Sequence, residues 1–405
     1  MVIACQVCGH EDFFLSDHLL EEHGMSAAQY QAEYGRAAEV VSDELMTRFR
    51  KERGNPRRKM PPTPEMLRLQ LGGIPFPINV DVRPKDCLPC PAHYRVPRHG
   101  KLSRDIQHAA VALRKGRSLY IWGPPGSGKD AVIHAYSAQT RTPAIMVQVR
   151  PGVDLQPWFF THEFDDVSTR WDLGDLLLGL RDGYKTLSGR VIPYLVLISD
   201  FDRADESQAE FIRLIADSIK GRVMGPKGKT YDVLPGTQIV ATANTAGGGD
   251  ETGRMVSANP IDSSIMDRFQ RPLEFHWMSW KDEKHIIAAK FPLFAERAPH
   301  LMETVGTVTE AVRKDIAQDD LYMEFSHRSV CSWVGHAQDL LEFQSGNQRP
   351  TKKLLMSAAR AFLDGIGDKA NRLACKRVMD PHITGGAVNE GDTNHIDTDD
   401  LFGLT

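Results

Sequence analysis

The sequence predicts an α/β protein, a parallel sheet sandwiched by helices, and three observations carry that prediction. Short apolar runs alternate with amphipathic helical stretches between residues 74 and 279, the pattern of strands covered on both faces. One of these runs, Leu119-Tyr-Ile-Trp122, enters a glycine-rich turn that ends in Gly-Lys and opens a helix. Beyond residue 280 the apolar spacing becomes helical throughout.

In chain order, strands are expected over 118–122, 144–149, 194–198, 238–243 and 272–276, with helices over 103–115 and 208–220 between them. Further helices are expected over 281–290, 307–317, 328–343 and 352–376. Five units result. Residues 1–40 form a small Cys/His module and 41–73 a helical, basic, proline-rich linker. Residues 74–279 form the α/β domain, 280–383 a helical domain, and 384–405 an acidic flexible tail.

Composition bounds the function. A net charge of −4 excludes a cationic coat for nucleic acid, and no apolar run reaches membrane-spanning length. The start MVIACQVCGHEDF lacks the basic-then-apolar order of a signal peptide, so a cytoplasmic protein without membrane partners is expected. In that compartment the six cysteines read as thiols or metal ligands, not as a disulfide framework.

The turn Gly123-Pro124-Pro125-Gly126-Ser127-Gly128-Lys129-Asp130 nearly fits G-x-x-x-x-G-K-S/T. Glycines let backbone N–H groups turn toward phosphate oxygens, the helix start adds positive potential, and Lys129 reaches the β- and γ-phosphates. ATP with magnesium is therefore the expected ligand. Position 130 departs from the pattern, since Asp stands where a hydroxyl normally meets magnesium. The second acidic motif, Leu195-Val-Leu-Ile-Ser199-Asp200-Phe201-Asp202, departs too: Ser199 occupies the place of the metal-side Asp, and Asp200 that of the water-activating Glu. Three readings stand open. Asp130 and Ser199 have exchanged roles and keep one carboxylate and one hydroxyl beside magnesium; the motif is shifted by one residue, with Asp200 as metal partner and Asp202 nearby; or catalysis is lost and binding kept. A blander reading makes Asp200 and Asp202 caps of the next helix.

Downstream, Asn244 ends a predicted strand, where an amide positions the attacking water. Arg268 follows a short helix as a candidate arginine finger for a neighbouring subunit. Arg328, in Phe325-Ser-His-Arg-Ser-Val330, is a candidate contact to the γ-phosphate from the helical domain. Singly, each arginine reads as a surface ion pair. Jointly and in this order they form a specific set.

GPPGSGKD, LVLISDFDRAD, VATANTAGGGDETG with IMDRF, and FSHRSV together resemble the AAA+ P-loop ATPases of the MoxR branch, within it the CobS type, over about residues 74–345. Asp250, Thr252 and Gly253 after the ATANT strand are part of that likeness. The resemblance implies a homo-oligomeric ring, a hexamer, with nucleotide between subunits, Asn244 as sensor 1, Arg268 as finger, Arg328 as sensor 2 and the helical domain as a lid. It implies a CobT-like von Willebrand A partner and a large chelatase subunit, with cobalt insertion into a corrin ring as the activity. CobS-like proteins also occur in bacteriophages, so a remodelling ATPase unrelated to cobalamin is the alternative, as is a nucleotide-dependent scaffold with weak hydrolysis. The segment 221–233 reads as a hairpin whose Arg222, Lys227, Lys229 and Tyr231 either touch substrate or form an exposed basic turn. The aromatic segment 154–172, with Trp158, Phe159, Phe160 and Trp171, reads as core rather than as a ring-face insertion.

At the N-terminus, Cys5-x-x-Cys8 followed by His18-x-x-x-x-His23 has the spacing of a tetrahedral zinc site. A module of this length has too little apolar area to fold without metal. The stretch resembles the zinc fingers of the Ros and MucR DNA-binding regulators. Residues 1–35 nevertheless contain no Lys or Arg, so a protein-docking finger is expected; any nucleic-acid contact would run through the basic linker. Cys87, Cys90, His93 and His99 are a weaker second metal candidate, and Cys331 and Cys375 read as buried thiols.

Overall fold

The computed structural model describes residues 3–12, 15–25, 27–34, 68–71, 74–165, 168–249, 258–318, 320–343 and 350–384. The basic linker from residue 48 to 59, the tail beyond 384, and Asp250, Thr252 and Gly253 lie outside the described residues.

The α/β domain opens with helix α1 (Gly100–Arg114), strand β1 (Leu119–Trp122), helix α2 (Lys129–Thr140) and strand β2 (Ala144–Gln148). Helix α3 (Asp175–Asp182), β3 (Leu195–Ser199), α4 (Ala209–Ile219), β4 (Gln238–Ala243) and β5 (Arg271–Glu274) follow. The strands pair in parallel in the order β5-β1-β4-β3-β2. Every side chain of β3 and β4 is buried, as the near-continuous apolar runs require. Alternation along the strands sends Leu119, Ile121, Leu195, Leu197 and Val240 to one face, against Ile106 and Leu113 of α1 and Val132 and Ile133 of α2. It sends Tyr120, Val196, Ile198, Ile239 and Ala241 to the other, against Leu176 and Leu180 of α3 and Phe211 and Ile215 of α4. All five C-terminal strand ends therefore meet at one sheet edge, where an open parallel sheet binds its ligand.

Among the described residues, short antiparallel hairpins decorate this domain, one of them pairing Tyr184–Lys185 with Val191–Ile192. Arg222–Met224 pairs with Thr230–Asp232, within the segment read as a hairpin. Phe160–Asp165 pairs with Ser168–Leu173 and divides the aromatic segment. Phe159 is fully buried against Phe211, and the half-buried Trp158 and Phe160 pack against the same core, as the core reading expects; Trp171 is half-buried outside it.

The helical domain comprises α5 (Trp280–Lys290), a short helix Pro292–Arg297, α6 (Pro299–Ala317), α7 (His327–Phe343) and the helices Lys352–Ala358, Arg360–Leu363 and Lys369–Thr384. They share one core that includes Phe294, Leu301, Val305, Val312, Trp333, Leu355 and Met379. Two expectations need correction. Helix α6 starts eight residues before the predicted Thr307, because Pro299 pre-sets the first turn. The single helix expected over 352–376 is three: a first break falls at Ala359, and Gly365 and Gly367 make the second, after which Asp368 starts the last helix by accepting from Asn371 N at 2.8 Å. Among the described residues, no helix is long and apolar enough to cross a membrane.

Candidate nucleotide-binding site

The phosphate loop leaves β1 and enters α2 at the sheet edge. Its glycines answer particular steric demands. Gly123, at φ 149°, has the carbonyl of Phe275 in the space a Cβ would take. A Cβ on Gly126, at φ 71°, would stand 2.6 Å from Ser326 Cβ and 3.0 Å from His327 N, so the helical domain seats directly on the loop. Gly128, left-handed at φ 85°, has open space where a Cβ would project.

Lys129 is buried to 9% exposure, and its Nζ donates to Gly123 O at 2.7 Å, Pro124 O at 3.1 Å and Asn244 Oδ1 at 3.2 Å. The loop lysine and the candidate sensor amide are thus in direct contact. Burial pulls the Lys129 ammonium down to about 8, against the carboxylates of Asp130, Asp202, Asp200 and Glu324, which hold it up.

Asp130, on the first turn of α2, accepts from Ser199 Oγ at 2.6 Å and from Thr242 Oγ1 at 2.5 Å. The residues at the two departures from the ordinary motif therefore touch. They form an all-oxygen donor set that, with Thr242, suits a hard divalent cation such as magnesium.

Asp200 and Asp202 diverge. Asp200, at φ 57°, accepts from Gln148 Nε2 at 3.2 Å and lies 3.7 Å from Arg203 Nε. Asp202 is fully buried, and its Oδ2 accepts from Asn244 N and Thr245 N, both at 2.9 Å, and from Thr245 Oγ1 at 3.1 Å. It is a bracket that fixes the start of the Asn244 turn. Asp200 stands at the N-cap position of the short 3-10 helix Phe201–Arg203, but its carboxylate makes no capping hydrogen bond there, and α4 begins only at Ala209 after Gln208.

Arg268 follows the helix Ser263–Met266 and is engaged within its own chain, donating to Ser264 O at 2.6 Å and lying 3.6 Å from Asp217 Oδ1. Arg328 is exposed on the first turn of α7, with its backbone N–H on Ser326 Oγ at 3.2 Å. Glu324 lies in the field of this arginine and of the loop lysine: partial burial holds its carboxyl above the ordinary range, and the nearby charges of Lys129, Arg203 and Arg328 oppose this. Sequence reasoning missed Glu324 and the bracketing role of Asp202, because lone acidic residues carry no spacing signal.

The N-terminal module is a separate candidate metal centre. Two short strands, Ile3–Ala4 and Glu11–Asp12, pair ahead of the helix Ser16–His23. Cys5, Cys8, His18 and His23 present one ligand atom each, all within 4.8 Å of one another. His23 Nε2 is 3.1 Å from His18 Nε2 and 3.3 Å from Cys8 Sγ. These separations sit near the edges of a zinc tetrahedron, about 3.3–3.8 Å for ordinary Zn–N and Zn–S lengths. The donors fit zinc. Cys87, Cys90, His93 and His99 do not converge: His99 is turned to Asp282 at 2.8 Å, and the N-terminal four are the one such cluster among the described residues.

No protein-family model matches the chain. Aerobic cobaltochelatase subunit CobS of Sinorhizobium sp is 22% identical over 231 residues, covering 55% of this chain and 65% of that protein, just under two thirds of its length. Among solved structures, the RuvB Holliday junction branch migration motor of Thermotoga maritima aligns over 68% of this chain and 73% of its own, with 16% identity and a TM-score of 0.39. A mutant form of the same RuvB aligns over 65% of this chain and 69% of its own, at 16% identity and a TM-score of 0.41. The parallel sheet, phosphate loop and C-terminal helical domain together give this chain the AAA+ P-loop NTPase fold.

Proposed function

We propose that the protein is an AAA+ ATPase of CobS type that binds ATP at Gly123–Asp130, hydrolyses it, and converts the cycle into remodelling of a partner protein. The observation that carries this reading is the contact of Lys129 Nζ with Asn244, beside an Asp130 carboxylate held by the Ser199 hydroxyl. Loop N–H groups and Lys129 bind and orient the triphosphate. Asp130 with Ser199 would hold magnesium, which would supply charge neutralisation on the triphosphate. Asn244, fixed by Asp202, orients the attacking water, and Asp200 takes its proton. Arg268 from an adjacent protomer offsets developing charge once it leaves Asp217, and Arg328 does so from the helical domain. That trans role makes a ring, a hexamer, the working form.

The finer reading is an ATPase subunit of a cobaltochelatase-like complex, recruited to a CobT-like von Willebrand A protein and a large chelatase subunit. The N-terminal module, with zinc held by Cys5, Cys8, His18 and His23, is a protein-docking finger; the ion serves there as a structural cross-link. A second reading, a nucleotide-dependent scaffold with slow hydrolysis, is favoured by Asp200, which is one carbon shorter than Glu and engaged with Gln148 and Arg203.

A residue swap tests the site. Asp130→Ser alone is expected to lower steady-state ATP turnover by one to two orders of magnitude, on the order of a lost transition-state contact. Adding Ser199→Asp should recover part of it. Unchanged turnover in the single variant, or no recovery in the double, would remove the exchanged metal pair. A pull-down with ATP, with Lys129→Ala as control, identifies the client; chelatase subunits in it support the finer reading and their absence opposes it.

A further inference from the structure

The seat of the helical domain on the phosphate loop is built from buried charge. Glu283 of α5 is fully buried, and its two oxygens take a fork from Arg313 of α6, Nη1 to Oε2 at 2.6 Å and Nη2 to Oε1 at 3.0 Å. Oε1 also meets His327 Nδ1, the first residue of α7, at 2.8 Å. Arg313 uses its remaining donors on Phe325 O at 3.1 Å and Met278 O at 3.5 Å, so one guanidinium ties the interdomain linker, α5 and the start of α7 together. Trp277 of the linker lies under that guanidinium, with the Arg313 Cζ 5.5 Å from its ring centre, and donates from Nε1 to Pro125 O of the phosphate loop at 3.3 Å. His327 N and Ser326 in turn abut Gly126. The cluster touches the loop at two points and carries Arg328 on the next residue.

Buried ion pairs stabilise a fold little better than hydrophobic residues of the same volume. What a forked guanidinium adds is direction. We propose that Glu283, Arg313, His327 and Trp277 are positioning residues that lock the helical domain onto the phosphate loop and thereby hold Arg328 toward the nucleotide. This rests on the ATP-site reading above. It assigns to the cluster a coupling between loop and helical domain: a ligand that shifts Pro125 or Gly126 shifts the start of α7, and the reverse.

The test is equilibrium titration of the full chain with a fluorescent methylanthraniloyl ATP, with magnesium, for wild type, Arg328→Ala, Glu283→Gln and the double variant. Each single substitution should weaken binding about tenfold, and the double should be no weaker than Arg328→Ala alone, because the cluster acts through that arginine. Additive losses would make the cluster a general staple and overturn the proposal. So would full affinity in Glu283→Gln while Arg328→Ala is impaired. Wild-type protein that does not bind would overturn the ATP-site reading and the latch with it, a result distinct from the other two. Should Glu283→Gln not fold, Trp277→Phe keeps an aromatic ring, smaller than the indole, under Arg313 and removes the N–H to Pro125; it is expected to weaken binding severalfold, and unchanged affinity would contradict the latch.

Discussion

The α/β domain and the N-terminal Cys/His module organise their functional atoms by opposite means. In the first, strands buried on both faces fix the loop, and the reactive groups ride on strand ends whose position the core determines. In the second, the buried apolar residues among those described are Cys5, Leu15, Leu19 and Tyr30, with Met25 beside them. A segment of this length buries too little apolar area to offset the entropy of ordering it, so on the proposed reading a metal draws the four ligand atoms together. On that reading one region is preformed for its ligand and the other is formed by it.

The largest expected effect separates the two directly. Stripping zinc with a chelator should unfold the module, with an apparent loss on the order of 10 kcal/mol, and leave ATP affinity unchanged. Protease cleavage within residues 1–34 that appears only with chelator, set against unaltered nucleotide titration, would show it. A module equally resistant without metal would erase the contrast.

Next in size is a test that the α/β site is held by its own framework. Asp202→Ala leaves the Asn244 and Thr245 N–H groups without their buried acceptor and should cost about 3–5 kcal/mol, read from thermal or denaturant unfolding. Asp202→Asn should cost less. A midpoint unmoved by either would show that Asn244 is positioned by something else.

A smaller effect concerns pH. Burial opposes a charged His327, but its contacts with Cys331 and Glu283 outweigh it and raise the imidazole to about 9, above its ordinary 6.5. The stabilisation is therefore fully present below about pH 6.5 and is lost as pH rises through 9, at most about 3 kcal/mol and less for the solvent the ring still meets. His327→Gln should flatten that part of the stability profile. The groups that face this ring are the Glu283 carboxylate, the Arg313 guanidinium forked onto it, and the Cys331 thiol.

The smallest effect is proton uptake. Lys129, lowered to about 8 by burial, is about half-neutral at pH 8 in the free protein, and phosphate favours its ammonium form. ATP binding at pH 8 should take up a fraction of a proton, seen by calorimetry in buffers of different ionisation heat. Affinity should fall as pH rises further. Binding heats independent of buffer would contradict this.

Much of this was legible beforehand because it is local. Strand runs, the Gly-Lys loop and the Cys/His spacing are short patterns with their own physics, and the structure places each strand within a residue or two of its expected range. Contacts between distant elements were not legible. Glu283 belongs to no motif, and only its place one turn after Trp280 and one before Ile286 and Ile287 puts it on the apolar stripe. Asp202 was visible only as a neighbour of Asp200, and nothing in the spacing distinguishes a carboxylate facing water from one holding two backbone N–H groups. The interruption at Gly365 and Gly367 was overlooked because the apolar period continues on both sides of it.

The most direct measurement is calorimetric titration of ATP with magnesium into wild-type protein and into Lys129→Ala. Saturable binding by the first, reduced at least a hundredfold in the second at unchanged thermal midpoint, is the predicted result; equal affinity in both, or none in either, would contradict an ATP site at Gly123–Asp130.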